Sequence, residues 1–170
     1  AVNWGAIKSL ELMEKVCDLA VRALDELLDY QEYPIEAAKV STMNRRPLGI
    51  GIINFAYWMA KNDMTYSEPN LDLIDRFAEA WSYYLIKASA DLAKEHGKPE
   101  GSDETKYGQG VLPIDTYKKD IDELVPHKER MAWTSLRKQL KDTGIKNSTL
   151  MALMPAETSA QISNATNGIE

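Results

Sequence analysis

Two short apolar runs within an otherwise helical pattern most constrain what this chain can fold into. Residues 47–55 are nearly all apolar and include three Ile and two Gly, and residues 148–154 form a second apolar run that ends at Pro155. Because Ile favours strands and Gly weakens helices, we predict strands at 48–52 and 149–154. A continuous apolar strand is typical of α/β proteins, in which both faces of the sheet are covered. For the first run, a single buried helix over 47–61 is the competing interpretation.

The rest of the sequence favours helices, because apolar residues recur at three- and four-residue steps. We predict helices over about 9–30, 35–42, 53–61, 70–96, 128–142 and 157–165. Gly97 and Gly144 lie where helices should end. We predict that residues 98–126 form a long connection, and a connection of this length is usually either functional or packed on a neighbouring part of the protein. Two strands cannot complete a sheet, so we expect partner strands from outside these 170 residues. The predicted fold class is α/β, mostly helical.

The net charge and the cysteine content indicate which cellular compartment and which classes of partner suit this chain. Proteins that bind nucleic acids usually carry more basic than acidic residues, so a net charge of -6 argues against a nucleic-acid partner. It also argues against docking on anionic membranes. No apolar run approaches the roughly 20 residues needed to cross a bilayer, and the first residues lack a signal-peptide pattern. A single cysteine excludes an internal disulfide framework. We therefore predict a cytoplasmic protein without membrane or nucleic-acid partners.

The strongest local candidate for a binding site is the segment Met154–Gln161. A buried strand leads into a tight turn at Pro155, and the turn opens a helix whose first N–H groups lack partners inside the helix. Such a helix start can bind an anion such as a phosphate, and the hydroxyls of Thr158 and Ser159 add donors. The alternative is an ordinary helix cap, since Thr and Ser are also common capping residues. The carboxylate of Glu157 would have to point away from a bound phosphate.

Other polar residues have simpler structural explanations. Cys17 lies on an apolar helix stripe and reads as a buried small hydrophobe. His96 and His127 are far apart in the sequence and lack a metal-ligand pattern, so we predict no metal site. Arg45–Arg46 reads as a surface pair. Acidic residues of the first helix are expected on its solvated face: Asp18, Asp25, Glu26 and Asp29.

Several segments along the chain form recognisable motifs: Arg45–Gly51, Leu112–Tyr117, Trp133–Leu136, Gly144–Ile145, Asn147–Pro155 and the sequence from Glu157 to the last residue. In this order they resemble the large catalytic subunit of class I ribonucleotide reductases of bacteria and their phages. The chain departs from the family signature at Lys146, where an aromatic residue, Arg or Ala is usual. The resemblance covers essentially the whole chain.

This resemblance implies a ten-stranded α/β barrel, to which residues 1–170 would contribute about two strands as part of the barrel domain. It implies reduction of ribonucleoside diphosphates to deoxyribonucleotides. The segment that matches the family's substrate-phosphate site comprises Pro155, Ala156, Glu157, Thr158 and Ser159. Many relatives have Ser or Thr where this chain has Ala156, so only backbone contact is expected there.

The same resemblance implies that the catalytic residues lie elsewhere. The family uses a thiyl-radical cysteine and a redox cysteine pair, one of which should lie just before Ala1, and Cys17 matches none of them. We therefore expect no cofactor in this piece, which would be an internal part of a longer subunit. The complete enzyme would need the radical cofactor of its small subunit, an external dithiol reductant and the remaining segments, including those that bind ATP and other allosteric nucleotides. The alternative is a non-catalytic helical interaction module derived from a reductase.

Overall fold

The structure, a computed structural model, describes residues 1–126 and 128–169. Within these ranges the helices are α1 (Leu10–Tyr30), α2 (Glu36–Arg45), α3 (Phe55–Lys61), α4 (Leu71–His96), α5 (Pro113–Thr116), α6 (Trp133–Thr143) and α7 (Glu157–Ile162). The strands are β1 (Val2–Asn3) and β2 (Ile52–Ile53). Short 3-10 helices cover Trp4–Ala6, Glu100–Glu104 and Lys119–Glu123.

The two longest helices, α1 and α4, pack against each other and carry much of the core. The apolar stripe of α1 buries Met13, Cys17 and Val21, and α4 buries Leu85 and Ile86 among others. Side-chain caps start both helices, since the Ser9 hydroxyl accepts from the Leu12 N–H and the Asn70 amide oxygen accepts from the Leu73 N–H. The apolar spacing in the sequence therefore fixes both helices and their buried faces.

Three extended segments form a short parallel ladder with β2 in the middle. The Cα partners are Val2 with Ile52, Asn3 with Ile53 and, as an isolated bridge, Ile50 with Met151. Backbone bonds extend the second pairing, because the Leu48 N–H donates to the Thr149 carbonyl and the Ala152 N–H donates to the Ile50 carbonyl. Because the three segments run in parallel, their carboxyl ends lie at one edge.

The structure corrects both predicted strands. The run at 48–52 is extended, not the competing helix, but its regular strand is limited to Ile52–Ile53. The run at 149–154 is not a regular strand and forms one bridge at Met151. The backbone bonds to residues 48–50 end at Ala152, and Leu153 is 61% exposed rather than covered on both faces. The pairing of Val2 and Asn3 was not predicted, because two residues carry no periodicity.

Helix ends also differ from the sequence predictions, each for a local reason. Helix α2 runs to Arg45 instead of stopping at 42, and it ends where Arg46 adopts a left-handed backbone with φ of 44°. Helix α6 begins at Trp133 rather than 128, because the backbone N–H groups of Arg130 and Met131 donate to the Glu79 carboxylate instead of to helix carbonyls. Helix α7 ends at Ile162 rather than 165, because the chain then returns to β2. His127 lies outside the described residues.

A buried polar network links α1, α2, α4 and the segment that leads to the second ladder pairing. The guanidinium of Arg46 donates from Nε to Asp25 Oδ1 (2.8 Å) and from Nη2 to Asp25 Oδ2 (2.9 Å). The Asn147 side chain donates to Asp25 Oδ1 (2.8 Å) and accepts from the Ser89 hydroxyl (2.7 Å). Asn147 is fully buried, and Asp25 and Arg46 are each only 7% exposed. The sequence predictions of a solvated Asp25 and a surface Arg46 are therefore wrong.

Asp29 binds the outer side of the same guanidinium and makes stability depend on pH. Its bond to Arg46 holds the pKa of the Asp29 carboxyl below its ordinary value of 3.8, and the Asp29 carboxylate, followed by that of Asp25, raises the pKa of Arg46. The stabilisation should thus be fully present above about pH 4 and be lost as the pH falls through the lowered pKa of Asp29.

We expect an Asp29→Asn variant to be less stable than the parent at pH 6, by up to about 1 kcal/mol because the side chain is half exposed. The difference should shrink towards zero between about pH 4 and pH 2. Urea midpoints of both proteins across this range measure it. A difference that stays constant down to pH 2 would contradict the assigned ion pair.

The described residues contain neither a membrane-spanning helix nor a metal-binding cluster. None of the helices there is both long and apolar enough to span a bilayer. No group of three or more His, Cys, Asp or Glu side chains in residues 1–126 and 128–169 is arranged to hold a metal ion.

Candidate functional site

The predicted anion-binding turn lies where the ladder meets its carboxyl edge. Residues 149–152 run beside residues 48–50, just before β2, and the chain continues through Met154 and Pro155 into α7. Gly51 makes this close crossing possible. A Cβ atom on Gly51 would lie 2.6 Å from Met154 Sδ and 2.7 Å from the Ala152 carbonyl oxygen, so any larger residue would push the turn away.

Helix α7 is six residues long and is held by small apolar side chains. Ala156 and Ala160 form a minor buried cluster with Ile53, and Ala165 packs against it. A helix this short is not stable on its own, so these contacts determine where its first turn lies. The placement of α7 therefore depends on the end of β2.

The start of α7 has no side-chain cap. Ala156 is the N-cap residue, and the hydroxyls of Thr158 and Ser159 lie within the first turn without capping it. The alternative prediction, in which Thr158 and Ser159 cap the helix, is therefore wrong. Both side chains are exposed, as is that of Glu157.

The backbone donors of the turn divide into used and unused groups. Pro155 has no N–H, and the Ala156 N–H donates to Asn167 Oδ1 at 2.7 Å. The first bond inside the helix is donated by the Ala160 N–H to the Ala156 carbonyl. The N–H groups of Glu157, Thr158 and Ser159 donate to no protein acceptor in the described part of the chain. These three N–H groups and two hydroxyls form a set of exposed donors at the positive end of the helix.

Residues 164–169, which we call the return segment, close over the edge beside the turn. Asn54, which follows β2 with a left-handed φ of 67°, donates its N–H to the Thr166 carbonyl at 2.8 Å and accepts the Thr166 N–H at 3.1 Å. The Asn54 side chain also donates to Asn3 Oδ1 at 2.9 Å. The ends of β1 and β2 and the return segment thus meet at one buried asparagine.

A cavity of about 190 Å³ lies between the turn and the return segment. Its lining is mainly apolar and comprises Ile52, Leu153, Met154, Pro155, Asn167, Gly168 and Ile169. No Lys or Arg side chain lines this cavity, and the residues with unpaired N–H groups, 157–159, lie beside it rather than in its lining. The residues that line this cavity supply neither a nucleophile nor an acid–base pair.

Cys17 is separate from this site and unreactive. It is completely buried on α1, and burial raises the pKa of its thiol to about 12. The thiolate is the reactive form of cysteine, so this thiol is not suited to nucleophilic or redox chemistry. Its predicted role as a small core residue is confirmed.

The sequence analysis missed Asn54 and Asn167, the asparagines that hold the turn and its surroundings. One signal was available for Asn54, because Asn tolerates a left-handed backbone and it follows a strand. Asn167 carried no such signal, since it contacts Ala156 only through the fold. The predicted residues Pro155–Ser159 are consecutive, and the structure adds these two partners to them.

Parallel extended segments with helices packed beside them define an α/β arrangement. A family model for the barrel domain of ribonucleotide reductase matches residues 5–170, and the chain belongs to this family. The resemblance inferred from sequence motifs is thereby confirmed.

Three curated relatives illustrate the relationship. The chain is 57% identical over 171 residues to the ribonucleoside-diphosphate reductase subunit alpha of Haemophilus influenzae, covering 100% of this chain and 23% of that protein. It is 56% identical over 144 residues to the reductase 1 subunit alpha of Escherichia coli, covering 84% and 19%. It is 48% identical over 158 residues to the subunit alpha of Enterobacteria phage T4, covering 93% and 21%. The chain therefore spans about a fifth of the length of these relatives.

Proposed function

We propose that this chain forms part of a ribonucleoside-diphosphate reductase large subunit and that its turn at residues 155–159 binds the diphosphate of the substrate. The observation that carries the proposal is similarity to reductase alpha subunits along the entire chain. The proposed enzyme reduces ribonucleoside diphosphates to deoxyribonucleotides in the cytoplasm. Its partners are the remaining large-subunit segments and the radical-generating small subunit.

The geometry of the turn supports binding of a phosphate group rather than chemistry on it. The N–H groups of Glu157, Thr158 and Ser159 are unpaired among the described residues, and two hydroxyls lie in the same turn. Phosphate oxygens accept such bonds strongly, because the acceptor carries charge. The Ala156 N–H already donates to Asn167 Oδ1, so Ala156 would contribute by packing α7 against Ile53 rather than by contacting the phosphate. Pro155 would contribute only apolar contact.

A segment exchange tests the function of this chain directly. The matching segment of the Haemophilus influenzae subunit alpha would be replaced by residues 1–170, and the chimera assayed with its small subunit and a dithiol reductant. We expect turnover of CDP by the chimera and none by the purified 170-residue chain alone, which lacks the redox cysteines expected from the family. Turnover by the isolated chain would overturn the proposal. A folded chimera without activity would favour the non-catalytic interaction module.

Removal of the two hydroxyls tests the phosphate site. In the chimera, Thr158→Ala combined with Ser159→Ala should raise KM for CDP about 5- to 150-fold, which corresponds to roughly 1–3 kcal/mol of lost bonds to a charged group. Ser163→Ala is a matched control, because it removes an exposed hydroxyl just beyond the same helix, and its KM should stay at the parent value. An unchanged KM in the double variant would rule out phosphate binding by these hydroxyls.

A further inference from the structure

We propose that Asn167 is a site of spontaneous covalent modification, at which the backbone nitrogen of Gly168 attacks the side-chain amide and converts Asn167 to aspartate and isoaspartate. Asn167 is the only asparagine of the chain that is followed by glycine. Glycine has no Cβ atom that would hinder its own nitrogen as a nucleophile. Asn167 is exposed, and Gly168 lies in a turn with φ of 55°. The inference does not depend on the proposed function.

No hydrogen bond within the described residues fixes the peptide unit that must react. The return segment is anchored on both sides of this unit, by Asn54 before it and by the Tyr66 hydroxyl after it. The backbone N–H and C=O groups of Asn167 and Gly168 themselves have no hydrogen-bond partner in this part of the chain. A Cβ atom added at Gly168 would meet no atom of a non-adjacent residue within 4 Å. The Gly168 nitrogen can therefore approach the side chain without breaking a bond or displacing a neighbour.

The carbon atom that is attacked, Asn167 Cγ, belongs to a carbonyl that is already polarised. The Ala156 N–H donates to Asn167 Oδ1 at 2.7 Å. Negative charge develops on this oxygen as the Gly168 nitrogen adds to Cγ, and a fixed N–H donor stabilises such an oxyanion. The same bond orders the side chain in advance, so less conformational freedom remains to be lost in the transition state. The fold should therefore activate the amide beyond what the Asn-Gly sequence alone provides.

The reaction consumes one water molecule and releases one ammonia molecule. The Gly168 nitrogen loses its proton to a base in the solvent and bonds to Asn167 Cγ, and the side-chain nitrogen takes a proton from water and leaves as ammonia. The product is a succinimide ring, which water then opens at either of its carbonyls. Opening at Cγ gives aspartate, and opening at the main-chain carbonyl gives isoaspartate. The cavity of about 190 Å³ that Asn167 and Gly168 help to line has room for this water.

The two products should affect helix α7 differently. Aspartate keeps an oxygen that can accept the Ala156 N–H, and it adds one negative charge. Isoaspartate routes the main chain through the former side chain, so its carboxylate is displaced from the position of Asn167 Oδ1. Modification to isoaspartate should therefore release the contact between the return segment and the start of α7.

Ageing of the folded 170-residue chain in mildly alkaline buffer tests the modification. Mass spectrometry of the tryptic peptide that follows Lys146 should show deamidation at Asn167 at least about tenfold faster than at Asn164, because alanine follows Asn164 and hinders the attack. Asn164 is a matched internal control, since it is exposed and lies in the same peptide. The rate at Asn167 should rise with pH, because the attacking nitrogen must lose its proton. Equal rates at the two asparagines would overturn the proposal.

Two further measurements test the chemistry and the activating contact separately. Asn167→Gln keeps the amide but lengthens the side chain, so an isoaspartyl methyltransferase should label the aged parent chain at position 167 and not this variant. Equal labelling of the parent and the variant would show that the ring does not form at Asn167. In urea, which removes the Ala156 contact, the parent should deamidate at Asn167 more slowly than in the folded chain. A faster reaction in urea would refute activation by the Ala156 N–H and reduce the site to a property of the Asn-Gly sequence.

Discussion

Replacing Arg46 with Met should lower the free energy of unfolding of the chain by roughly 3–5 kcal/mol. The guanidinium and the Asp25 carboxylate are both buried, with side chains 8% and 10% exposed. Without Arg46, that carboxylate keeps the Asn147 amide as a donor but no countercharge at bonding distance among the described residues. Removing one partner of a buried pair costs far more than removing an exposed pair, because the remaining charge stays desolvated.

The neighbouring residue provides a matched control for this prediction. Arg45 pairs with Glu104, but the two side chains are 43% and 70% exposed. Arg45→Met should therefore change stability by at most about 1 kcal/mol. Urea denaturation of the parent and both variants measures the difference. Equal losses for the two variants would show that burial does not distinguish these adjacent arginines.

Truncating Glu79 to Ala should cost a similar amount, roughly 3–5 kcal/mol, because it leaves several donors without their acceptor. The side chain of Glu79 is 1% exposed. Its Oε1 accepts from the Arg130 N–H at 2.7 Å, the Met131 N–H at 3.1 Å and the Trp133 indole N–H at 2.9 Å. These bonds hold the extended residues that lead into α6.

Glu79→Gln separates the loss of the acceptor from the loss of charge. Glutamine keeps one oxygen that can accept from the same donors but removes the attraction to Arg130. We expect its loss of unfolding free energy to be clearly smaller, at about 1–2 kcal/mol. The experiment is urea denaturation of the parent, Glu79→Ala and Glu79→Gln. If Ala and Gln cost the same, the hydrogen bonds would not be the source of the stability.

Sequence periodicity predicted the long helices well, because α1 and α4 bury a continuous stripe that local spacing encodes. It predicted short elements less well. The run at 149–154 is apolar, yet Leu153 is exposed and only Met151 forms a bridge, so composition alone overstated the strand. The end of α7 was placed three residues too late, because Asn54 captures the chain at Thr166 and no local pattern signals that contact.

The buried charges show a second limit of sequence analysis. Asp25 stands among other acidic residues of α1, and Arg46 stands beside Arg45, so each looked like part of a solvated surface. Asp25 and Arg46 differ from these neighbours because their bonding partners are distant in the sequence. Arg46 and Asp25 are 21 residues apart, and Asn147 is 122 residues from Asp25. The start of α7 was predicted correctly at Glu157, because a Pro and a Thr-Ser pair lie next to it in the sequence. The asparagines that contact this region, Asn54 and Asn167, were not predicted.

The burial of Cys17 has a practical consequence for fluorescence work on this protein. The chain has one cysteine, and its thiol is fully enclosed with a pKa raised to about 12. A maleimide dye requires an accessible thiolate, so the native residue can stay in place during labelling. A cysteine introduced at an exposed position of α7, such as Gln161, would then take the dye alone. The emission of that dye would test the proposed binding of a ligand beside α7 without alteration of the core.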